Sequence, residues 1–555
     1  MCSCVSRRIS RHAAALVFGL GVLSAWAPVR TAQPAFLSDD PLGREPESQD
    51  ASNVRPWEIN LAFDVTYNSL VTARREPTGS RAGNVNTLDE VPDSSWFTNR
   101  IGARPLSAAA LVNGPDLNAA PDPSSWTILR EKSSGAAAGF TARDARGATW
   151  FISFDAPSNP DGATGAIVVA TKLFWALGYN QVENHVSSLR REHLRIDPKA
   201  SVKRPSGRRT PMTNDDLQTV LSRATPGPDG TYRITAGRLL PGKILGGFRY
   251  EGTRPDDPND IVEHQHRREL RALRVFGAWT NLTDMKSGNT LDTLETTDGR
   301  SIVRHYLQDV GSTFGIGANG PHEPSEGWEF VFQSGPALRR LFSLGLALSP
   351  WQTAHYEDVP AIGPFEGEAF DPEAWKPRAV VRAFTEMRAD DAFWAARRVT
   401  AFSDASIRAA VSAGRYTDPR ASDHLANVLI RRRDRIGRAY LPAINPVVDP
   451  RFEWPGRLSF DNAAVDNGGA SAPRRYTARW HAFDNTTRVS RELGVTTGTA
   501  TRLDAPAVVP DVPGGFVRVD VSAEHDEHPS WGRPVEIYFR RDASAWTLVG
   551  LTRLP

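Results

Sequence analysis

The sequence predicts an α+β protein in which a two-part core is followed by a C-terminal β domain. Between about Trp126 and Tyr250, apolar and polar residues alternate with the period of two that is typical of strands. From about Asp260 to Leu441 the period lengthens to the 3.6 residues of helices. After Pro446 the alternation returns and predicts a sandwich-like unit. The 555 residues, 40% apolar and 23% charged, suit several domains with a large core.

Residues 1–32 have the pattern of a secretory signal peptide. Arg7, Arg8 and Arg11 precede an apolar run from Ala13 to Ala27, which is short for a membrane span. We therefore expect an exported protein, periplasmic or extracellular, with no membrane span after signal removal. The paired arginines leave both the general and the twin-arginine export routes open.

Charge and cysteine content exclude several classes of partner for the mature chain. The signal holds four arginines and no acidic residue, so its removal takes the formal charge from +2 to about −2. A near-neutral chain gives no reason to expect nucleic acid. The basic stretch from Arg190 to Arg209 lacks aromatic residues and is interpreted as a solvated insertion. Both cysteines, Cys2 and Cys4, lie in the signal, so we expect no disulfide.

Residues 33–125 form an N-terminal extension rich in Pro, Asp, Asn and Ser. Within it, Trp96 and Phe97 stand among turn-forming residues. This combination predicts a segment anchored to a domain by its aromatic side chains, with a ligand contact as the alternative.

Residues 126–250 are predicted to form a β-rich unit that contains one helix. Glu131 to Phe140, with Gly135 and Gly139, is a glycine-bearing turn. After it, Asp144-Ala-Arg-Gly147 is a strong turn signal between two strands, of which Thr149–Phe154 is the second, and predicts a hairpin. Gly165 to Leu177 then reads as a helix that Gly178 ends.

Residues 251–446 are predicted to be mainly helical. The acidic turn from Gly252 to Asp260 could hold Ca²⁺, but we favour capping of the next helix, His264–Thr280. That helix carries Leu270, Leu273 and Phe276 on one side, and Arg267, Arg268, Arg271 and Arg274 on the other. Four further helices are predicted: Ala337–Leu348, Lys376–Phe402, Asp404–Ala413 and Ala421–Leu441.

Residues 447–555 are predicted to form the C-terminal β domain, with few contacts to the core. Four segments alternate apolar and polar residues: Arg475–Phe483, Gly515–Val521, Pro534–Phe539 and Trp546–Leu551.

Two motifs in the middle of the chain suggest phosphoryl-transfer chemistry. Asp284 and Asn289 have the Asp-x-x-x-x-Asn spacing of a kinase catalytic loop, and Asp309-Val310-Gly311 follows about twenty residues later. In that arrangement the first Asp accepts the proton of an attacking hydroxyl. The Asn and the second Asp hold a metal ion on the nucleotide phosphates. The alternative is a helix-capping carboxylate plus an ordinary Asp-x-Gly turn.

With these motifs, the chain resembles an uncharacterised family of exported bacterial proteins with a protein-kinase-like core, distantly similar to HipA-type and lipid-kinase-like enzymes. The resemblance rests on four stretches: Val91–Gly102, Gly139–Asn184, Leu240–Gly315 and, more loosely, Trp375–Asn445. It implies a bilobal kinase-like fold, with residues 126–250 as the N-lobe and 251–446 as the C-lobe. It also implies Asp284 as catalytic base, Asn289 and Asp309 as ligands of Mg²⁺ or Mn²⁺, and ATP in the cleft.

The sequence departs from that pattern where a kinase holds the α- and β-phosphates. Ser153 stands where the second hairpin strand usually has Lys, and Ile167 stands where the next helix usually has Glu. Two smaller departures are Leu282 for the usual His and Val310 for Phe. Lys132 is the candidate for the missing cation, and a solvent-facing lysine is the alternative. On the nucleotide side the candidate residues are Lys132, Gly135, Gly139 and Ser153.

Three hypotheses follow for the function. The chain is an atypical, weak phosphotransferase, or a pseudokinase that binds nucleotide without turnover. Alternatively, it is a non-catalytic cell-envelope protein whose C-terminal β domain recognises a glycan or a protein.

Overall fold

The computed structural model describes residues 33–132, 137–331, 342, 348–453 and 456–554. The predicted signal peptide, Gly135 and most of the predicted helix Ala337–Leu348 lie outside these residues. Among the described residues, no helix is both long enough and apolar enough to span a membrane.

A seven-stranded sheet forms the first part of the core. Its strands are β1 (Trp126–Glu131), β2 (Gly139–Asp144), β3 (Thr149–Phe154), β4 (Asn184–Arg190), β5 (Leu194–Lys203), β6 (Arg209–Pro211) and β7 (Thr231–Arg238). The order is β4-β7-β3-β2-β1-β5-β6, and only β1 and β5 run parallel. The predicted hairpin is confirmed as β2–β3, with Gly147 in the turn at φ +82°. Buried Trp150, Ile152 and Phe154 share one face of β3, as the alternation requires.

Two helices pack on this sheet but belong to different apolar cores. α4 (Asn214–Leu221) buries Leu217, Val220 and Leu221 in a core under the sheet. α3 (Gly162–Leu177) instead buries its apolar residues in the much larger core of the second part. α3 therefore connects the sheet to the rest of the molecule.

A three-stranded sheet carries the two predicted Asp motifs. Its strands are β8 (Lys243–Gly246), β9 (Thr290–Thr297) and β10 (Arg300–Leu307), in the order β10-β9-β8. β9 and β10 form a regular hairpin, from Thr290 opposite Leu307 to Thr297 opposite Arg300. Asn289, just before β9, and Asp309, just after β10, therefore lie at the same end of this hairpin. A two-stranded ribbon, β11 (Ile316–Gly317) and β12 (Gly320–Pro321), follows.

Helices surround these strands, but they differ from the prediction in two ways. Within Lys376–Phe402 the helices are only Arg382–Thr385 and Ala389–Thr400. The Asp391 carboxylate accepts the N–H of Arg388 at 3.0 Å and so caps the start of the second helix at Ala389. The predicted helices Asp404–Ala413 and Ala421–Leu441 appear as Asp404–Ser412 and Pro419–Tyr440, and a short helix covers Pro350–Thr353.

The second difference concerns α5 (Arg268–Thr280), which leads into the Asp284 loop. It begins at Arg268 and not near His264, and the arginines opposite its leucines are buried, since Arg267, Arg268 and Arg271 are at most 1% exposed. Arg268 lies 3.0 Å from Asp390 and 2.9 Å from Asp391, and Arg271 lies 2.9 Å from Asp391. Aspartates from a distant helix thus compensate these buried charges.

The N-terminal extension wraps the core and caps α5. It contains α1 (Leu61–Leu70) and α2 (Ala108–Asn113), and it buries Trp96 and Phe97. The expectation that the acidic turn caps α5 is wrong. Asn84 of the extension accepts the N–H of Arg268 at 2.9 Å, while Asp260 instead contacts His264 at 2.7 Å. The extension is therefore part of the folded core.

The C-terminal region contains two antiparallel sheets. One has the order β13-β14-β17, from Val447–Glu453, Arg457–Asn462 and Arg502–Asp504. The other has the order β16-β15-β18-β19-β20, from Ser490–Gly498, Arg475–Phe483, Phe516–Glu524, Val535–Arg541 and Trp546–Arg553. A short helix, Ala463–Asp466, follows β14. Phe452 of β13 packs against Trp480 of β15 at 5.3 Å between ring centroids, so the two sheets share aromatic contacts.

The expectation of few contacts between this region and the core is wrong. Residues 441–450 are buried except Ala443 and Asp449. The Asn445 amide donates to the carbonyls of Val521 and Arg533 at 3.0 and 2.9 Å. A single buried apolar core includes residues from both regions. The connection is therefore a packed segment and not an exposed linker.

Candidate functional site

The loop after α5 turns back on itself at Asn289. α5 is followed by Asn281, which adopts the left-handed conformation at φ +54°, and a 3₁₀ turn covers Ser287–Asn289. The Asn289 amide donates to the backbone carbonyl of Asp284 at 2.7 Å and to its carboxylate at 3.1 Å. The five-residue spacing thus becomes a direct contact between the two side chains.

Asp309 joins this loop through the backbone. Its N–H donates to the Asn289 carbonyl at 3.0 Å, and its carboxylate accepts the N–H of Gly311 at 3.0 Å. The Asp309 side chain is exposed. The structure therefore brings together Asp284, Asn289 and Asp309, which the sequence analysis proposed as base and metal ligands.

Two cations hold Asp284 in its ionised form. Burial acts to raise the pKa of Asp284, but Lys286 at 2.7 Å, Arg378 at 3.8 Å and the Asn289 amide outweigh it, and the pKa lies below the usual range. At neutral pH the group is a carboxylate that can accept a hydrogen bond from a hydroxyl.

Glu326 and Arg378, which surround Asp284, were not predicted from the sequence. Glu326 accepts two hydrogen bonds from the Arg378 guanidinium, at 2.8 and 2.9 Å, and one from the Thr283 hydroxyl at 2.8 Å. Lys286 was recognisable, since it stands two residues after Asp284. Arg378 and Glu326 had no such signal, because they reach Asp284 from distant segments.

His322 is a buried neutral group in the same neighbourhood. Its ring contacts the Ser312 hydroxyl at 3.0 Å and lies 3.4 Å from Glu326. Burial lowers the pKa of His322 to about 4, against the attraction of Glu326 and Asp284.

The predicted nucleotide-side residues meet at the end of the β2–β3 hairpin. The Lys132 amine donates to the Ser153 hydroxyl at 3.3 Å, and Gly139 pairs with Ser153 across the two strands. A Cβ on Gly139 would lie 2.1 Å from the Ile152 carbonyl oxygen, so strand packing by itself requires glycine there. Gly135 lies outside the described residues.

The Lys132 amine also interacts electrostatically with the Asp309 carboxylate. The surrounding chain desolvates the amine and lowers the pKa of Lys132, while the Asp309 carboxylate acts in the opposite direction. The lysine side chain remains exposed. It is thus a cation beside Ser153 that faces the proposed metal ligand.

Ile167 of α3 makes an apolar contact with the Asp309-Val310-Gly311 turn. Its side-chain carbons lie 3.3 and 3.4 Å from the place where a Cβ on Gly311 would be. This contact packs α3 against the Asp309-Val310-Gly311 turn, but it offers no carboxylate to orient Lys132.

The site offers few protein ligands for a divalent ion. In the described chain no cluster of three His, Cys, Asp or Glu residues could hold a metal. Asn289 Oδ1 and Asp309 Oδ2 have no hydrogen-bond partner among the described residues. Mg²⁺ is commonly bound by one or two protein oxygens together with substrate phosphates, so this pair fits a metal that arrives with a nucleotide.

Two cavities, of about 80 and 410 Å³, lie away from Asp284. The smaller lies between the core and the C-terminal sheets, and the larger lies within the C-terminal region.

Comparisons with known proteins give only distant similarity. No family model matches the chain, and no curated protein sequence matches it. Two crystal structures of the Golgi casein kinase are similar, one of them with Mn/ADP bound. Their identities are 11% and 12%, their TM-scores are 0.31 and 0.29, and each match covers 72% of this chain and 94% of that chain. TM-scores this low do not establish a shared fold, and the resemblance to exported bacterial proteins stays a prediction.

Proposed function

We propose that this chain is a protein-kinase-like protein that binds ATP with Mg²⁺ or Mn²⁺ and transfers phosphate slowly or not at all. One observation carries the proposal: Asn289 holds the Asp284 carboxylate with its side chain and accepts the Asp309 N–H with its backbone. This contact fixes the group that orients a hydroxyl relative to the groups that hold a metal, as phosphoryl transfer requires.

Each residue has a defined part in the proposed reaction. Asp284 accepts a hydrogen bond from the acceptor hydroxyl and takes its proton as the oxygen bonds to the γ-phosphorus and ADP leaves. Asn289 and Asp309 would hold the divalent ion, which neutralises phosphate oxygens when bound. Lys286 lies beside Asp284, where it can neutralise the transferred group. We assign to Lys132 the contact with the α- and β-phosphates.

The expected rate is low because the cation on the α- and β-phosphates is poorly fixed. Lys132 is exposed and has only the Ser153 hydroxyl as a close partner among the described residues. Ile167 supplies no carboxylate to orient it. Loss of one positioned electrostatic group commonly lowers a rate by a factor of ~10²–10³. We also propose export, on the sequence of residues 1–32 alone.

The test is a thermal shift of the chain from residue 33 onward with ATP and ADP, with and without Mg²⁺ or Mn²⁺. We expect a stabilisation that needs the metal and that Asp309→Asn removes. Asp298→Asn is the matched control, since Asp298 lies in the β9–β10 turn at the other end of β10. Absence of any nucleotide shift, or a shift that survives Asp309→Asn, would contradict the proposal.

A further inference from the structure

A serine, a histidine and a glutamate lie in a row beside the Asp309-Val310-Gly311 turn. The Ser312 hydroxyl lies 3.0 Å from Nε2 of His322, and Nδ1 of the same ring lies 3.4 Å from Oε2 of Glu326. Hydroxyl, imidazole and carboxylate in this order form the Ser-His-Asp or Ser-His-Glu triads of acyl-transfer enzymes, which occur on unrelated folds. The proposed phosphoryl transfer uses none of these three side chains.

The β11–β12 ribbon brings the histidine back to the serine. The chain turns sharply after Thr313, where Phe314 and Gly315 have φ values of +55° and +70°. The His322 N–H donates to the Gly315 carbonyl at 2.7 Å, so the imidazole meets a hydroxyl ten residues earlier in the chain. Buried non-glycine residues with positive φ, such as Phe314, are uncommon and cluster at active sites.

Glu326 favours the tautomer of His322 that a general base needs. Nδ1 of His322 has no hydrogen-bond partner among the described residues, and the Glu326 carboxylate faces it. The carboxylate stabilises a proton on Nδ1, which leaves the lone pair of Nε2 toward the Ser312 hydroxyl. Catalytic hydrogen bonds are often long in a free enzyme and shorten when the substrate binds, so the 3.4 Å distance is compatible with this role.

The serine is reachable from solvent, and the chain leaves room beside the histidine. Ser312 is half-buried, whereas His322 is only 6% exposed. The nucleophile has to meet the substrate, while the base acts through the nucleophile. Gly317 is half-buried too, and a Cβ on it would lie 3.1 Å from Nε2 of His322. Glycine at this position therefore keeps a side chain away from the atom that exchanges the proton.

Two backbone donors at the serine are available for a developing oxyanion. The N–H groups of Ser312 and Thr313 donate to no acceptor in the described part of the chain. Serine hydrolases use the N–H of the nucleophile itself or of the residue after it to bind the oxyanion.

We propose that Ser312, His322 and Glu326 form a second catalytic site, which hydrolyses small carboxylic esters. Ser312 Oγ bonds to the acyl carbon while its proton passes to Nε2 of His322. The alcohol leaves with that proton, and the acyl group remains on Oγ. A water molecule then gives a proton to Nε2 and bonds to the acyl carbon. The carboxylic acid leaves, and Oγ takes the proton back.

Esters suit this site better than amides. Burial lowers the pKa of His322 to about 4, and the Arg378 guanidinium neutralises part of the Glu326 charge that would stabilise an imidazolium. The imidazole is therefore a weak base, and proton transfer to it is slow. A substrate with a good leaving group, such as an aryl ester, compensates for this weakness.

The test uses two probes on the chain from residue 33 onward: a fluorophosphonate, which labels activated serines covalently, and p-nitrophenyl acetate. We expect the label on Ser312 in peptide mass spectra and loss of both labelling and ester hydrolysis in Ser312→Ala. His322→Gln should lower kcat about a hundredfold. Glu326 is a positioning residue, so Glu326→Gln should lower kcat and leave KM unchanged.

Ser188→Ala is the matched control, since Ser188 is a half-buried serine of β4 with no hydrogen bond to a described histidine. It should change neither labelling nor hydrolysis. An unlabelled Ser312, or equal rates of hydrolysis in the wild type and in Ser312→Ala, would overturn the proposal. The reaction needs neither metal nor nucleotide, so EDTA should not affect it. Labelling of Ser312 in a chain without any nucleotide shift would contradict the proposed function alone.

Discussion

Single side chains decide what the candidate site can do. The Asn289 amide donates to Asp284, and its own carbonyl oxygen has no hydrogen-bond partner among the described residues. Lys132 reaches Ser153, where a kinase would have its own lysine. The position of the Lys132 amine in the site therefore matters more than the strand that carries the lysine.

The first prediction tests whether Lys132 supplies the missing cation. Lys132→Ala should weaken metal–nucleotide binding about tenfold, because it removes the amine that faces the phosphates. The double variant Lys132→Ala with Ser153→Lys should recover the affinity, since the two positions are in contact at 3.3 Å. Lys199→Ala, an exposed lysine on β5, is the control for calorimetric titration. Equal affinities in the wild type and in Lys132→Ala would show that Lys132 only faces solvent.

The second prediction concerns pH and His322. Its pKa is 6.5 when unfolded and about 4 when folded, so the unfolded state binds the proton first as the pH falls. The contribution of His322 to stability is complete above pH 6.5 and is lost between pH 6.5 and about 4. The loss is on the order of 3 kcal/mol.

The measurement is the urea midpoint as a function of pH. His322→Gln should reduce the fall in the urea midpoint between pH 6.5 and 4. His193→Gln, in the turn before β5, should not. An unchanged slope in His322→Gln would mean that His322 is not buried in its neutral form.

At the scale of elements, α5 is held by buried charges from two other segments. Asp89 of the extension and Asp390 and Asp391 of helix Ala389–Thr400 surround Arg268. Since α5 leads directly into the Asp284 loop, these ion pairs also position the site.

The third prediction is that Arg268→Gln destabilises the protein by roughly 3–5 kcal/mol, because Arg268 contacts three buried carboxylates and each of them would lose one of its cations. Arg274→Gln on the same helix should cost much less, since Arg274 is half-buried and, among the described residues, donates only to the Glu373 carbonyl. Thermal midpoints of the two variants give the comparison. Similar midpoints would indicate that the buried carboxylates become protonated or hydrated without loss of stability.

At the scale of the whole molecule, the C-terminal sheets are integrated with the core. Trp531 is fully buried and donates its indole N–H to the Pro442 carbonyl at 2.9 Å. The Arg553 guanidinium packs on Phe393 of the core at 4.4 Å from the ring centroid. We therefore expect the two regions to unfold together.

The fourth prediction follows from the buried connection. Asn445→Ala should lower the midpoint of the whole chain, because it removes the donors to Val521 and Arg533, whereas Asn427→Ala at an exposed position should not. The fragment Asp449–Pro555 should fail to unfold cooperatively and should bind a hydrophobic dye, since Trp531 and its neighbours lose their cover. A soluble, cooperatively folding fragment would contradict this view of the interface.

The sequence by itself determined the elements and the spacing of the site. The strand period of two, the Asp144–Gly147 turn and the helix-ending Gly178 are local signals, and the β2–β3 hairpin and α3 follow them. The spacing from Asp284 to Asn289, followed by a hairpin, placed Asp309 beside them for the same reason. The catalytic and metal-binding roles of these residues stay predictions.

Only the tertiary structure decided which charges are buried and which segments meet. Arg268 follows the pattern of a solvent-facing residue, yet aspartates remote in sequence surround it. Arg378 reaches Asp284 from a segment with no recognisable motif. The connection around Asn445 resembles a linker in composition but is packed between two sheets and the core. Periodicity and turn chemistry are set by neighbours along the chain, whereas burial and ion pairing are set by neighbours in space, which no local pattern records.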